Sequence, residues 1–211
     1  MVPDRRWDMV ALVPGENERQ TVNGLLSSRS KSIGMREILY TVQVHQERDP
    51  GCRLKSPEFL RLYLDLADHA LVMFDHEGSG RDHRLPPGDI QMELEQRLAA
   101  TGWGDRAGVV VVVPELENWV WAYSTHVDEA LGWKGRQPRL REWLAQEGWW
   151  PADEPKPQRP KEAALYEVRI PRSSAIYYQL AKRVGISRCR DGSFLRFNQL
   201  MKTWFPADTT P

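Results

Sequence analysis

The chain has 211 residues, 41% hydrophobic and 27% charged, which sustains one good core with room for a small appended lobe. Its formal net charge is zero, but residues 1–150 carry 18 basic against 23 acidic side chains and residues 151–211 carry 11 against 6, with the excess base between Arg169 and Lys202. No apolar run reaches the roughly 18 residues of a membrane helix and no basic start leads into an apolar segment, so neither a span nor a secretory leader is expected and the cytoplasm is the expected compartment. Cys52 and Cys189 lie far apart with no C-x-x-C partner, which disfavours a zinc site or a disulfide framework and leaves two free thiols.

In chain order, residues 7–13 (WDMVALV) form an apolar run broken by Pro14-Gly15. Val22, Leu25 and Leu26 then follow at helical spacing, giving strand, turn and helix. Residues 36–44 (REILYTVQV) are β-branched and aromatic and predict a second strand, followed by a polar loop. Ser56 as N-cap and Pro57 at the first helical position predict a helix through residues 56–69. Residues 70–74 (ALVMF) read as a strand buried on both faces, and residues 87–103 as an amphipathic helix. The nearly pure valine run 108–113 reads as a further strand of a parallel sheet. Beyond residue 150 comes a Pro-rich connector, then two helices within 174–185 and 192–205. The expected architecture is α/β: a mostly parallel sheet of about four strands with helices on both faces over residues 1–150, and a basic helical extension over 151–211 packed on it.

In such sheets ligands sit beyond the carboxyl ends of the strands, and here acids follow three of them: Glu16 and Glu18, Asp75 and Glu77, Glu115 and Glu117. Carboxylates crowded at one edge repel unless protons or a cation compensate, and Mg²⁺ (or Mn²⁺) takes such oxygen ligands together with water and phosphate. In extended chain Asp75 and Glu77 share a side, which makes them the candidate metal ligands. Ordinary loop punctuation also explains an Asp-x-Glu before glycines, and an acid after Pro114 also suits the first turn of a helix, a reading favoured for Glu115. Glu117 is harder to explain that way, because the helix around it is otherwise apolar. His76 and His83 match no metal spacing. The tryptophans read as packing residues, and the basic tail as a solvated or lobe-docking face that would also suit an anionic partner.

The stretches VPGENE, VMFDHEG, ELENWVWA, RPKEAAL and RCRDGSFLRFNQLMKTW, in that order, resemble the Toprim-like domain of unknown function 4276 branch over nearly the whole chain. That resemblance implies a Toprim-like, Rossmann-like fold. It also implies a Mg²⁺-dependent nuclease or nucleic-acid-processing activity within a bacterial anti-phage defence system, with nucleic acid and other defence proteins as partners. On this pattern Asp75 and Glu77 hold the metal, Glu117 supports the site, Glu16 or Glu18 supplies the remaining acid, and Lys161 and Arg190 contact phosphate. One position departs from the pattern: the family's first Glu falls on Pro14. The alternative is therefore a catalytically degenerate Toprim-like subunit that binds a protein or nucleic acid. A receiver-type phosphoacceptor role for Asp75 is disfavoured, because no Lys follows a strand run.

Overall fold

A computed structural model describes residues 6–80, 85–121, 124–151, 153–154, 156–157, 159–163, 173–186 and 189–207. Four strands, β1 (Trp7–Val13), β2 (Tyr40–Val44), β3 (Ala67–Asp75) and β4 (Ala107–Val112), make an all-parallel sheet in the order β2-β1-β3-β4. The helices are α1 (Glu16–Ser28), α2 (Ser30–Ile33), α3 (Arg48–Leu60), α4 (Pro87–Leu98), α5 (Glu117–Val120), α6 (Thr125–Ala130), α7 (Leu140–Gln146), α8 (Pro160–Glu162), α9 (Ala175–Arg183) and α10 (Gly192–Trp204). None is long and apolar enough to cross a membrane.

Strand alternation divides the core in two. Met9, Ala11 and Val13 of β1, Leu71 and Met73 of β3, and Val110 and Val112 of β4 meet Val22, Leu25 and Leu26 of α1 and Phe194, Phe197 and Met201 of α10. The opposite side chains, among them Val10, Leu12, Val72, Phe74 and Val111, meet Ile90, Leu94 and Leu98 of α4 and Cys52 and Leu60 of α3. The C-terminal helices are thus part of the main core: α10 lies on β4 and α9 lies against α1, so close that a Cβ on Gly24 would stand 2.6 Å from the Tyr178 carbonyl oxygen. A tryptophan-rich cluster (Trp121, Trp133 and Trp150 with Leu140, Leu144 and Leu180) packs α6 and α7 against α9.

Three elements differ from the sequence reading, each because a tertiary contact overrides a local preference. The second strand is confined to Tyr40–Val44: the Leu39 carbonyl still accepts from the β1 backbone, but Asp8 takes the Leu39 N–H on Oδ2 (2.7 Å) and the Arg36 guanidinium on Oδ1 (2.7 Å), which turns the chain before Leu39 away from the ladder. Helix α3 starts at Arg48, with Pro57 inside it. Proline cannot donate to the Arg53 carbonyl, and Arg97 does so instead (Nη1 to O, 3.2 Å), while its Nη2 reaches the Leu54 carbonyl at 2.6 Å. Finally, β3 begins at Ala67, which pairs with Trp7 and takes residues 67–69 from the expected helix. The outer edge of β4 is closed by a side chain: Glu95 Oε1 accepts the Val109 N–H at 3.0 Å and is held by Arg196 at 2.9 Å.

Candidate metal centre

The carboxyl ends of β1, β3 and β4 point to one place, and acids converge there. Asp75 closes β3 with only 7% of its surface exposed. Pairing of Asp75 with Val112 sets it beside the end of β4, whose continuation carries Glu115 and Glu117, both buried. One carboxylate oxygen from each of Asp75, Glu115 and Glu117 lies within 4.8 Å of the others. Asp75 Oδ1 is buried without a hydrogen-bond partner, an acceptor aimed at a donor or cation that the described residues do not supply.

Two further acids flank this triad. Glu18, in the first turn of α1, is buried and folds back over Gly15, where a Cβ would stand 2.8 Å from its Oε2. Asp49, in the first turn of α3, accepts the Asp75 N–H on Oδ1 at 2.9 Å. Its neighbour Arg48 has φ +53°, the left-handed region that side chains with a Cβ avoid, so local strain accompanies the turn that brings Asp49 in.

Crowding and burial act together on these groups. Burial, with the charges of Asp49 and Glu117, raises the Glu18 carboxyl to about 7. Burial and the Glu117 charge raise Glu115 to about 7. Asp75 is pushed well above the carboxylate range by burial and by the charges of Glu18, Asp49, Glu117 and Glu115. Burial also raises Asp49. Among the described residues Lys161 pairs with the cluster: its backbone N–H donates to Glu115 Oε1 at 3.1 Å and its Nζ sits 3.4 Å from Oε2. Burial opposes its charge, but Glu117, Glu115 and Asp75 outweigh that and hold the ammonium above its ordinary pKa. From α9, the Tyr177 hydroxyl donates to Glu117 Oε1 at 2.5 Å.

The structure sorts the residues singled out from sequence into three groups. Asp75, Glu117, Glu18 and Lys161 come together. Glu77 and Glu16 do not join them: the Glu77 backbone N–H bonds the Pro114 carbonyl at 3.0 Å while its side chain is exposed, and Glu16 is turned outward onto Arg19 (2.9 Å) and Gln20 (2.7 Å). The physical reason is the end of each element: extended geometry stops at Asp75, so the same-side rule no longer reaches Glu77, and Glu16 opens a helix whose N-terminal turn brings Glu18 inward. Arg190 is exposed, next to the first turn of α10. His76 bonds the Leu85 carbonyl oxygen through Nε2 at 3.2 Å, and His83 lies outside the described residues.

Three members of the site are additional. Its place after Pro114 suggests a first-turn acid for Glu115, but Pro114 opens no helix and α5 starts at Glu117, which frees Glu115 to face the cluster. Asp49 falls in a stretch whose polarity predicts a loop, but it sits in the first turn of α3, and an Asp before Pro50 at a helix start is the signal that marks it. Tyr177 stands 60 residues from Glu117 and has no local signal.

No protein-family model matches the chain, and no curated protein matches it. Among solved structures, it is similar to the C-terminal region of the OLD protein of Xanthomonas campestris pv. campestris, over 93% of this chain and 92% of that one, with a TM-score of 0.49 and 14% identity. At that level the likeness is one of outline and by itself assigns neither family nor function. The α/β class rests on the parallel ladders.

The residues present fit a hard divalent cation. The three carboxylates offer only oxygen donors, and among the described residues Asp75 Oδ1 lacks a partner and Lys161 is the lysine paired with the cluster.

Proposed function

We propose that this chain is a Toprim-like, Mg²⁺- or Mn²⁺-dependent nuclease or nucleic-acid-processing protein. The observation that carries the reading is the buried convergence of Asp75, Glu115 and Glu117, with Asp75 Oδ1 left without a partner, at the carboxyl edge of a parallel sheet. These three residues would hold the ion; Glu77 and Glu16 stand outside the proposed set. Bound there, the ion would polarise a phosphoryl group and make an adjacent water more acidic. Glu18 is the proposed proton acceptor, a buried carboxyl held to about 7 and therefore matched to proton transfer near neutral pH. It takes the role that the Toprim-like pattern gives to the Glu replaced by Pro14. Lys161 orients Glu115 and is the proposed phosphate contact, and Arg190 an outer contact for the nucleic-acid backbone. A cytoplasmic role in bacterial anti-phage defence beside other defence proteins is the setting that the sequence resemblance favours.

A degenerate, binding-only subunit is the second reading. It is favoured by the outward turn of Glu16, which leaves Glu18 and Asp49 as the acids flanking the triad.

Calorimetric titration of Mn²⁺ into metal-free wild type and Asp75→Asn, paired with a nuclease assay on plasmid and single-stranded substrates, separates the readings. The expected result is Mn²⁺ binding and cleavage by wild type, with both lost in the variant. Binding without cleavage selects the degenerate subunit. Equal binding by the two proteins would overturn the metal site.

A further inference from the structure

The loop and turn from Glu115 to Trp121 carries two of the three clustered acids, yet α5 within it is a single turn of four residues, too short to hold its own shape. Its fixings come from the last third of the chain. Asp191, the N-cap of α10, accepts from Asn118 Nδ2 at 2.6 Å and Trp119 Nε1 at 3.1 Å. Lys156 Nζ donates to the Asn118 carbonyl at 2.8 Å, and Trp121 Nε1 to the Pro160 carbonyl at 2.8 Å. Two of the fixings reach the carboxylates themselves: Lys161 on Glu115, and the buried Tyr177 hydroxyl on Glu117 Oε1.

We propose that Tyr177 is a positioning residue for cation binding: its hydroxyl fixes the orientation of the Glu117 carboxylate and ties the metal centre to helix α9. The proposal rests on the metal reading above. The hydroxyl occupies one acceptor site of Oε1 and fixes the rotation of the carboxyl group, which leaves its remaining acceptor sites to the cluster. Groups that orient a metal ligand in this way change affinity without touching the ion. Helix α9 is seated by its close approach to α1 at Gly24, so the hydroxyl reaches Glu117 from a rigid platform.

The test is Mn²⁺ titration of metal-free wild type, Tyr177→Phe and Asp75→Asn, by calorimetry and by the electron paramagnetic resonance signal of free Mn²⁺. Tyr177→Phe removes one oxygen and keeps the ring in the core. Its expected Mn²⁺ affinity is lower by about 10- to 100-fold, with the melting temperature of the metal-free protein shifted by only a few degrees. A second readout compares the two proteins: saturation of the wild type with Mn²⁺ is expected to perturb tyrosine absorbance, through the phenol bonded to a carboxyl of the site, and that difference band is expected to vanish in Tyr177→Phe. Wild-type affinity in Tyr177→Phe alongside loss of binding in Asp75→Asn would reduce Tyr177 to a packing residue and leave the metal site standing. So would a wild-type protein that binds Mn²⁺ with no tyrosine response. Failure of the wild type to bind Mn²⁺ at all would overturn both readings together.

Discussion

Replacing Glu18 with Gln tests whether the acidic cluster is held against its own electrostatics. The buried Glu18 carboxyl sits near 7 where an ordinary glutamate titrates at 4.5, so above neutral pH the folded, metal-free protein carries a charge it resists. At about 1.4 kcal/mol per pK unit the displacement corresponds to about 3 kcal/mol. The sign follows from linkage: with a raised folded-state pKa, the stability associated with the protonated group is fully present below 4.5 and is lost as pH rises through about 7. Gln mimics the protonated form at every pH. Urea denaturation of both proteins in chelator, from about pH 5 to about pH 8, should therefore show a stability difference that is small at the acid end and grows in favour of Glu18→Gln to about 3 kcal/mol at the alkaline end. Saturating Mg²⁺ should shrink the difference, because a cation in the triad offsets the same repulsion. A difference independent of pH, or one that grows in favour of the wild type, would refute the electrostatic account of the site.

Other substitutions probe the scaffold. A Cβ at Gly24 would meet the Tyr178 carbonyl oxygen at 2.6 Å and the Ala181 Cβ at 2.8 Å, so Gly24→Ala should cost about 1–3 kcal/mol by forcing α9 away from α1, despite the higher helix propensity of alanine. Chemical denaturation reads the loss, and Mn²⁺ affinity should fall with it because α9 carries Tyr177; a neutral or stabilising result would show that the two helices part freely. Arg97→Ala removes the donor that replaces the missing Pro57 N–H, and should lower stability by about 1 kcal/mol through the Arg53 and Leu54 carbonyls. In a Pro57→Ala background, which restores the backbone donor, the same substitution should cost less, and an equal cost in both backgrounds would remove the explanation.

The sheet was legible in the sequence because its signal is local. A run such as Val109–Val112, or Ala70–Phe74, leaves few alternatives to a strand buried on both faces, and the structure places both inside parallel ladders. Boundaries were less legible wherever a distant residue decides them. Asp8 ends β2 at Tyr40, Arg97 lets a proline stay inside α3, and Trp7 extends β3 back to Ala67. None of these partners is visible in the segment whose limit it sets.

The candidate site follows the same division. Spacing in extended chain pairs Asp75 with Glu77, but the strand ends at Asp75, and the group that meets it instead comes from the neighbouring strand's continuation, 40 residues on in Glu115. A carboxylate cluster of this kind is assembled by sheet order: β1, β3 and β4 lie side by side, so the acids beyond their ends meet whatever their separation in sequence. Sequence shows that acids follow the strands; only strand adjacency shows which of them face one another. The compensating groups are less local still. Lys161 and Tyr177 belong to a segment whose composition reads as a connector and a basic tail, and their reason for being near the acids appears only when α9 is seated on α1. Charge balance at the sheet edge is therefore a property of the whole fold, and the residues that set it lie outside the acidic motifs themselves.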